Sequence, residues 1–210
     1  MKEIKTVVFD LGGVLVHLNP EVSYKAFKEL GVTDIETMLN PYRQKGLFYE
    51  LEMGLIDKVE FVHKLSQHAG RSFAIEQIEQ AFYRFLEQVP LYKFEYLEKL
   101  RSHKQVFILS NTNQFVMEFA HSERFLPNGR TLSSYVDRLY ASNEWHALKP
   151  DDEFFLKMIE DSQIDPAETL FIDDSIANIE AAFSLGFQTL LAVNGEDWRG
   201  KLDEKLDMTL

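Results

Sequence analysis

The sequence predicts an α/β fold: a doubly wound, mostly parallel sheet with an α-helical insert behind its first strand. Three observations carry this. Short apolar, β-branched runs alternate with segments of helical period over residues 92–193, a rhythm that builds parallel sheets through helical crossovers. One more run of this kind, Thr6-Val7-Val8-Phe9, stands alone near the start. Between the two, roughly seventy residues show helical spacing and no convincing strand.

The lone run ends on Asp10, and Gly12 and Gly13 follow at once. Open α/β sheets hold their ligands at the carboxyl ends of strands, and glycine lets the main chain approach a ligand closely. The stretch matches neither the G-x-G-x-x-G fingerprint nor a P-loop. Asn19-Pro20 breaks the pattern, and helices follow. Tyr24, Phe27 and Leu30 share a face closed by Gly31. Residues 47–54 are aromatic and acidic, and 59–65 begin another helix. Ile75, Ile78, Phe82, Phe85 and Leu86 form an apolar face that Pro90 ends. The expected division is a core of residues 1–18 and 90–210 and a helical cap of residues 19–89.

Within the α/β part, Phe94, Leu97 and Leu100 mark a helix, and residues 105–109 a strand running into Ser110-Asn111-Thr112-Asn113. Residues 138–141 form a short strand. Lys149-Pro150 is read as opening the next helix, with proline in its first turn and Phe154, Phe155, Met158 and Ile159 facing inward. Residues 169–172 form a strand running into Asp173-Asp174-Ser175. A helix through Ile179, Ala182 and Phe183 ends at Gly186, and residues 188–193 form the last strand. The acidic tail, 196–210, reads as a solvated end.

Composition narrows the function. The 210 residues are 45% hydrophobic with 17 phenylalanines, enough for a substantial core, and there is no cysteine. Disulfides and thiolate metal sites are excluded, and a reducing, cytoplasmic setting is expected. Met1-Lys2-Glu3-Ile4-Lys5 runs straight into the first strand, which leaves no room for a signal peptide, and no apolar run reaches membrane-spanning length. The net charge of −12 disfavours nucleic acid or an anionic membrane as partner. An acidic chain handling an anionic substrate needs a local offset: a metal, a lysine or backbone amides.

Asp10, Ser110-Asn111 and Asp173-Asp174 all follow buried strands, and Lys149 stands at a helix start. Singly, these are more often turns or caps. In one parallel sheet they share an edge and can converge. Two or three carboxylates without cysteine suit a hard, oxygen-seeking ion, Mg²⁺ first. A lysine and a hydroxyl beside it suit phosphate, and a carboxylate facing phosphorus can act as nucleophile.

In these stretches the sequence resembles the haloacid dehalogenase superfamily. Phe9-Asp10-Leu11-Gly12-Gly13-Val14 resembles its first motif, Leu109-Ser110-Asn111-Thr112 its second, Leu148-Lys149-Pro150 its third, and Phe171-Ile172-Asp173-Asp174-Ser175 with Asn178 its fourth. The resemblance implies a Rossmann-like core with the insert as cap, and Glu52-Met53-Gly54 is similar to the acidic-x-Gly turn of such caps. It implies Asp10 as nucleophile and Lys149 as the cation steadying it. Ser110 and Asn111 would bind phosphate, with Mg²⁺ at Asp10, the Gly12 carbonyl and Asp173 or Asp174. Within the superfamily, the Asp-x-Gly start and Ser110-Asn111-Thr112-Asn113 look most like bacterial α-D-glucose-1-phosphate phosphatases.

One position departs from the superfamily's phosphatases: Gly12 stands where they usually carry a second aspartate that protonates the leaving group. Its loss removes acid–base help worth roughly 10²–10⁴-fold without abolishing attack. His17, Glu50 and Glu52 are candidates to replace it, though loop and solvated-face roles compete. Phe48, Tyr49 and Trp145 could stack on a sugar or simply pack.

The resulting expectation is a Mg²⁺-dependent hydrolase of a small phosphorylated metabolite, a sugar phosphate, acting as a monomer or weak homodimer. A metal-independent dehalogenase and a catalytically weak phosphate-binding protein are the alternatives.

Overall fold

The structure, a computed structural model, describes residues 2–39 and 46–208. Residues 40–45 of the expected cap and the ends of both terminal stretches lie outside the described residues. The chain opens with β1 (Thr6–Phe9) and a two-residue β2 (His17–Leu18). Helices α1 (Pro20–Glu29), α2 (Ile35–Met38), α3 (Gly46–Glu52), α4 (Lys58–Ala69) and α5 (Ile75–Tyr83) follow, and β3 (Leu86–Gln88) returns beside β2. The α/β part then runs α6 (Leu91–Leu100), β4 (Gln105–Ser110), α7 (Gln114–Ala120), β5 (Arg138–Ala141), α8 (Ser142–Trp145) and α9 (Asp152–Ser162). It ends with β6 (Thr169–Asp173), α10 (Ile176–Ser184), β7 (Gln188–Leu191) and α11 (Arg199–Leu206).

The main sheet has the order β5-β4-β1-β6-β7, with every pairing parallel. The chain moves from β1 outward through β4 to β5, then crosses to β6 and β7. Strand order therefore reverses around β1, and the crevice at its carboxyl end is the ligand position of such sheets. All four β1 residues are buried, as expected of a strand covered on both faces. Val7 and Phe9 pack with Leu97, Ile108 and Trp198 on one face. Val8 packs with Phe107, Phe155 and Phe171 on the other.

The cap helices pack around Phe27, Phe48, Phe61 and Phe82, mostly edge to face. This cluster also takes in Phe115 of α7, whose ring stacks on Phe82 at 4.9 Å between centroids. Insert and core thus share one apolar cluster.

Three local expectations differ from the structure. The apolar run at residues 82–86 does not continue α5: the helix stops at Tyr83, and Leu86–Gln88 pairs antiparallel with His17–Leu18. A run this short carries no decisive period, and the ribbon ties the two ends of the insert together. Lys149-Pro150 does not open a helix, because α9 starts at Asp152 with Asp151 as its N-cap, leaving Lys149 in the preceding loop. The tail is not a free solvated end. Trp198 and Leu202 are fully buried in the main core, with Trp198 5.1 Å from the Phe9 ring and its Nε1 donating to Val14 O at 2.9 Å. Trp198, Leu202 and Leu206 recur every four residues, a helical stripe hidden among charges. No helix among the described residues is long and apolar enough to cross a membrane.

Trp198→Ala removes a full indole and a buried hydrogen bond, and it should cost about 3–5 kcal/mol in urea unfolding. A loss under roughly 1 kcal/mol would mean that the tail is not part of the core.

Candidate active site

At the carboxyl end of β1, Asp10 Oδ1 accepts the Leu11 N–H at 2.7 Å and pairs with Lys149 Nζ at 2.9 Å. Oδ2 of Asp10 has no hydrogen-bond partner among the described residues. The same ammonium reaches Asp173 Oδ2 at 2.7 Å. Asp173 Oδ1 accepts Ser175 N–H at 2.8 Å and Asn178 Nδ2 at 2.9 Å. Asp173 is therefore fully engaged, and its exposure is 0%. Asp174 differs: it lines the open cavity beside Asp10 and Gly12. Its closeness to the main chain explains Gly13, whose φ is +77° and whose missing Cβ would fall on the Asp174 carboxylate.

Oxygens of Asp10, Asp173 and Asp174 lie within 4.8 Å of one another. Burial pushes the Asp10 carboxyl up, Lys149 pulls it back, and Asp173 and Asp174 push it further, so it stays raised. Burial and Asp173 likewise raise Asp174 to about 6 despite Lys149. For Lys149, burial alone would favour the neutral amine, but Asp10 and Asp173 outweigh it and hold the ammonium. One ammonium does not balance three carboxylates. An all-oxygen donor set with surplus negative charge fits a hard divalent cation such as Mg²⁺.

Ser110 ends β4 and Asn111 follows, both lining the cavity. The Asn111 side chain clamps the Lys149 main chain: Nδ2 donates to Lys149 O and Oδ1 accepts Lys149 N–H, each at 2.8 Å. These two bonds hold the Lys149 main chain in place and use one of the two Nδ2 hydrogens. The cavity, about 650 Å³, is floored by the strand ends and roofed by Leu39, Tyr49, Glu52, Phe82 and Phe85 of the insert.

The other candidates separate. Glu52 and Tyr49 face the cavity. Glu50 instead pairs with Lys64 at 2.9 Å, Phe48 is buried in the cap cluster, and Trp145 packs on Tyr140. His17 does not line the cavity. Burial and nearby Lys93 hold its imidazole below the usual value. Sequence reasoning missed Ser142 and Lys93. Fully buried Ser142 accepts the Thr112 N–H at 2.9 Å and lies 2.8 Å from Glu52 O, joining core to cap. Lys93 Nζ donates to Val14 O at 2.6 Å, fixing the segment that follows Asp10. A lysine on the inner face of a helix was the one available sign.

A family model for haloacid dehalogenase-like hydrolases matches residues 4–186. The chain belongs to that family. It is 43% identical over 199 residues to a D-ribitol-5-phosphate phosphatase of Bacteroides thetaiotaomicron, covering 95% of this chain and 97% of that one. A HAD-like hydrolase structure from Porphyromonas gingivalis superposes with a TM-score of 0.95 at 46% identity, over 99% of this chain and 100% of that one. A HAD enzyme of Bacteroides thetaiotaomicron, solved with magnesium and inorganic phosphate, gives 0.90 at 36% identity over 95% and 98%. The superfamily resemblance of the motifs is borne out. The relative is named for a ribitol phosphate, and nothing in these likenesses singles out the glucose-1-phosphate subgroup.

Lys93 gives a pH test. Burial lowers its pKa from 10.5 to about 8, against Asp197 and Glu196 and with Arg199 assisting. The folded value lies below the unfolded one, so between those limits the unfolded chain binds more protons and stability rises with pH. Below the folded pKa the full cost is present, up to roughly 3 kcal/mol. Lys93→Met should therefore be more stable than wild type at pH 7, and the gain should shrink towards pH 10.5 in paired urea titrations. An equal gain at both pH values would remove the charge from the explanation.

Proposed function

We propose that the chain is a Mg²⁺-dependent phosphomonoester hydrolase for a small sugar or polyol phosphate, working through an aspartyl-phosphate. The carrying observation is Asp10: one oxygen is held by Leu11 N–H and Lys149, and the other is left for attack at the floor of the cavity. Attack on phosphorus breaks the ester bond and releases the alcohol, and water then hydrolyses the acyl phosphate. Lys149 holds Asp10 in place, and its charge also favours a phosphate dianion. Ser110 adds a hydroxyl at the same end, and Asn111 keeps Lys149 aligned.

Asp10 and Asp174, with the Gly12 carbonyl, are the groups that would hold the ion, and Asp173 acts behind them through Lys149. When bound, the metal offsets phosphate charge and orients phosphorus. Surplus carboxylate charge beside the nucleophile weighs against the metal-independent dehalogenase reading. The relative active on D-ribitol 5-phosphate makes that ester the first substrate to try, with glucose 1-phosphate beside it.

Asp10→Asn should reduce Mg²⁺-supported hydrolysis to background while leaving the melting temperature near wild type. Retention of most of the rate would exclude Asp10 as nucleophile. Gly12 gives a second test. It has no positive φ, and the nearest atoms to an added Cβ all belong to the Leu18 side chain, Cδ1 at 2.9 Å and Cγ and Cδ2 at 3.6 Å, a flexible end that can shift, so Gly12→Asp should fold. Without a dedicated acid at this position, wild-type rates should depend steeply on leaving-group pKa. Gly12→Asp should flatten that slope and speed the poorest leaving groups most. A folded variant with an unchanged slope would mean that another group already delivers the proton.

A further inference from the structure

The C-terminal segment meets the loop after the nucleophile at two points. Between Asp10 and the insert, the chain turns through residues 11–16 and leaves as β2. Trp198 Nε1 donates to Val14 O in the middle of this loop, as Lys93 Nζ does. At its end, one side chain takes both main-chain groups of Leu18: Asn194 Oδ1 accepts the Leu18 N–H at 3.0 Å, and Asn194 Nδ2 donates to Leu18 O at 2.8 Å. The next residue, Asn19, donates its N–H across the ribbon to Phe85 O at 2.9 Å. Main-chain groups of successive strand residues point to alternate sides. Leu18 therefore faces away from β3, and the Asn194 amide stands where a third strand would pair.

Asn194 is itself held. Ala192 N–H donates to Asp173 O at 3.0 Å, and Glu196 N–H closes a turn on Val193 O at 2.8 Å. Gly195, third in that turn, has φ +84°, a positive value of the kind a type II turn needs there. The Leu18 side chain reaches the other way. It lines the cavity with Asp10, Gly12 and Asn194, and it fills the space beside Gly12, where an added Cβ would lie 2.9 Å from Leu18 Cδ1. A line of contacts thus runs from the end of β7 through Asn194 and Leu18 to the main chain two residues after Asp10.

We propose that Asn194 is a positioning residue for hydrolysis: by clamping Leu18 it holds the Gly12 main chain in place beside Asp10. The proposal rests on the phosphatase reading above. Asn194 acts on the phosphate end, which every ester shares, and not on the alcohol part. A misplacement of about 1 Å near a reacting centre can cost up to about a hundredfold in rate, so a clamp of two hydrogen bonds at this place affects turnover more than stability.

The test compares wild type with Asn194→Ala, Leu18→Ala, the double variant and Leu18→Met. With Mg²⁺, Asn194→Ala should lower kcat about tenfold for D-ribitol 5-phosphate and for phenyl phosphate alike, with KM changed by about threefold at most. Leu18→Ala should do the same, and Leu18→Met, which conserves volume, should restore most of the rate. The double variant should be no slower than the slower single, because both changes break one line of contacts. In the metal-free proteins, amide exchange over residues 11–16 should be faster in Asn194→Ala than in wild type. A folded Asn194→Ala with kcat within about twofold of wild type overturns the proposal. So does a loss confined to one ester, unchanged exchange over residues 11–16, or a double variant that loses the product of the two single losses. Should Asn194→Ala unfold, the same criteria are read on Asn194→Asp, which keeps the acceptor for Leu18 N–H and loses the donor to Leu18 O. Wild-type protein that hydrolyses neither ester overturns the phosphatase reading itself, and that failure is distinct because no variant is needed to see it.

Discussion

The ammonium of Lys149 between Asp10 and Asp173 is the interaction on which the site depends. Its side chain is 1% exposed and meets two carboxylates within 2.9 Å. A buried charge is tolerated when it is paired and hydrogen-bonded on every side. Here the pairing extends outward: Asp173 is held by Ser175 and Asn178, and the lysine main chain is clamped by Asn111. Three strand ends and one loop are thereby fixed against each other. Asp10, which lines the cavity, is left with Oδ1 held by Leu11 N–H and Lys149 and with Oδ2 unpartnered among the described residues.

This arrangement divides the two adjacent acids of the fourth motif. Asp173 points into the protein, where its charge is used by Lys149. Asp174 points into the cavity and presses against Gly13. Side chains on successive residues at a strand end face opposite ways, so of the doubled aspartate one carboxylate turns inward to the Lys149 ammonium and the other to the cavity. Equal exposure of both carboxylates would leave Lys149 without its second partner.

Much of this was legible in the sequence because it follows period and position. The succession of strands along the chain and the residues at their carboxyl ends could be read from apolar runs followed by Asp10, Ser110 and Asp173; their order across the sheet could not. What could not be read depends on contacts between distant segments. The β2–β3 ribbon needs Leu86 to find Leu18, and no local period marks a pairing of two or three residues. The clamp of the Asn111 amide on a main chain 38 residues away likewise leaves no local sign. The last helix was hidden because a stripe of three apolar residues among many charges looks like a solvated tail until a core is there to receive Trp198.

The insert illustrates how position over a site can be fixed by parts that are individually weak. Its apolar cluster borrows Phe115 from a core helix. Lys58 at the start of α4 reaches Gln114 through its main chain, at 3.0 Å, and Glu118 through its side chain. The Glu52–Gly54 turn rests on α8 through Ser142, Asn143 and His146. Apolar packing is broad and non-directional, so alone it would leave the cap free to slide. The hydrogen bonds at the turn add direction, and Gly54 allows an approach closer than any side chain would permit. Phe115 and Gln114 lie directly after the second motif, and Ser142 to His146 directly before Lys149. The segments that bring Asn111 and Lys149 to the strand ends therefore also carry the sockets for the cap, so the distance between Lys149 and the cap turn is set within the core itself.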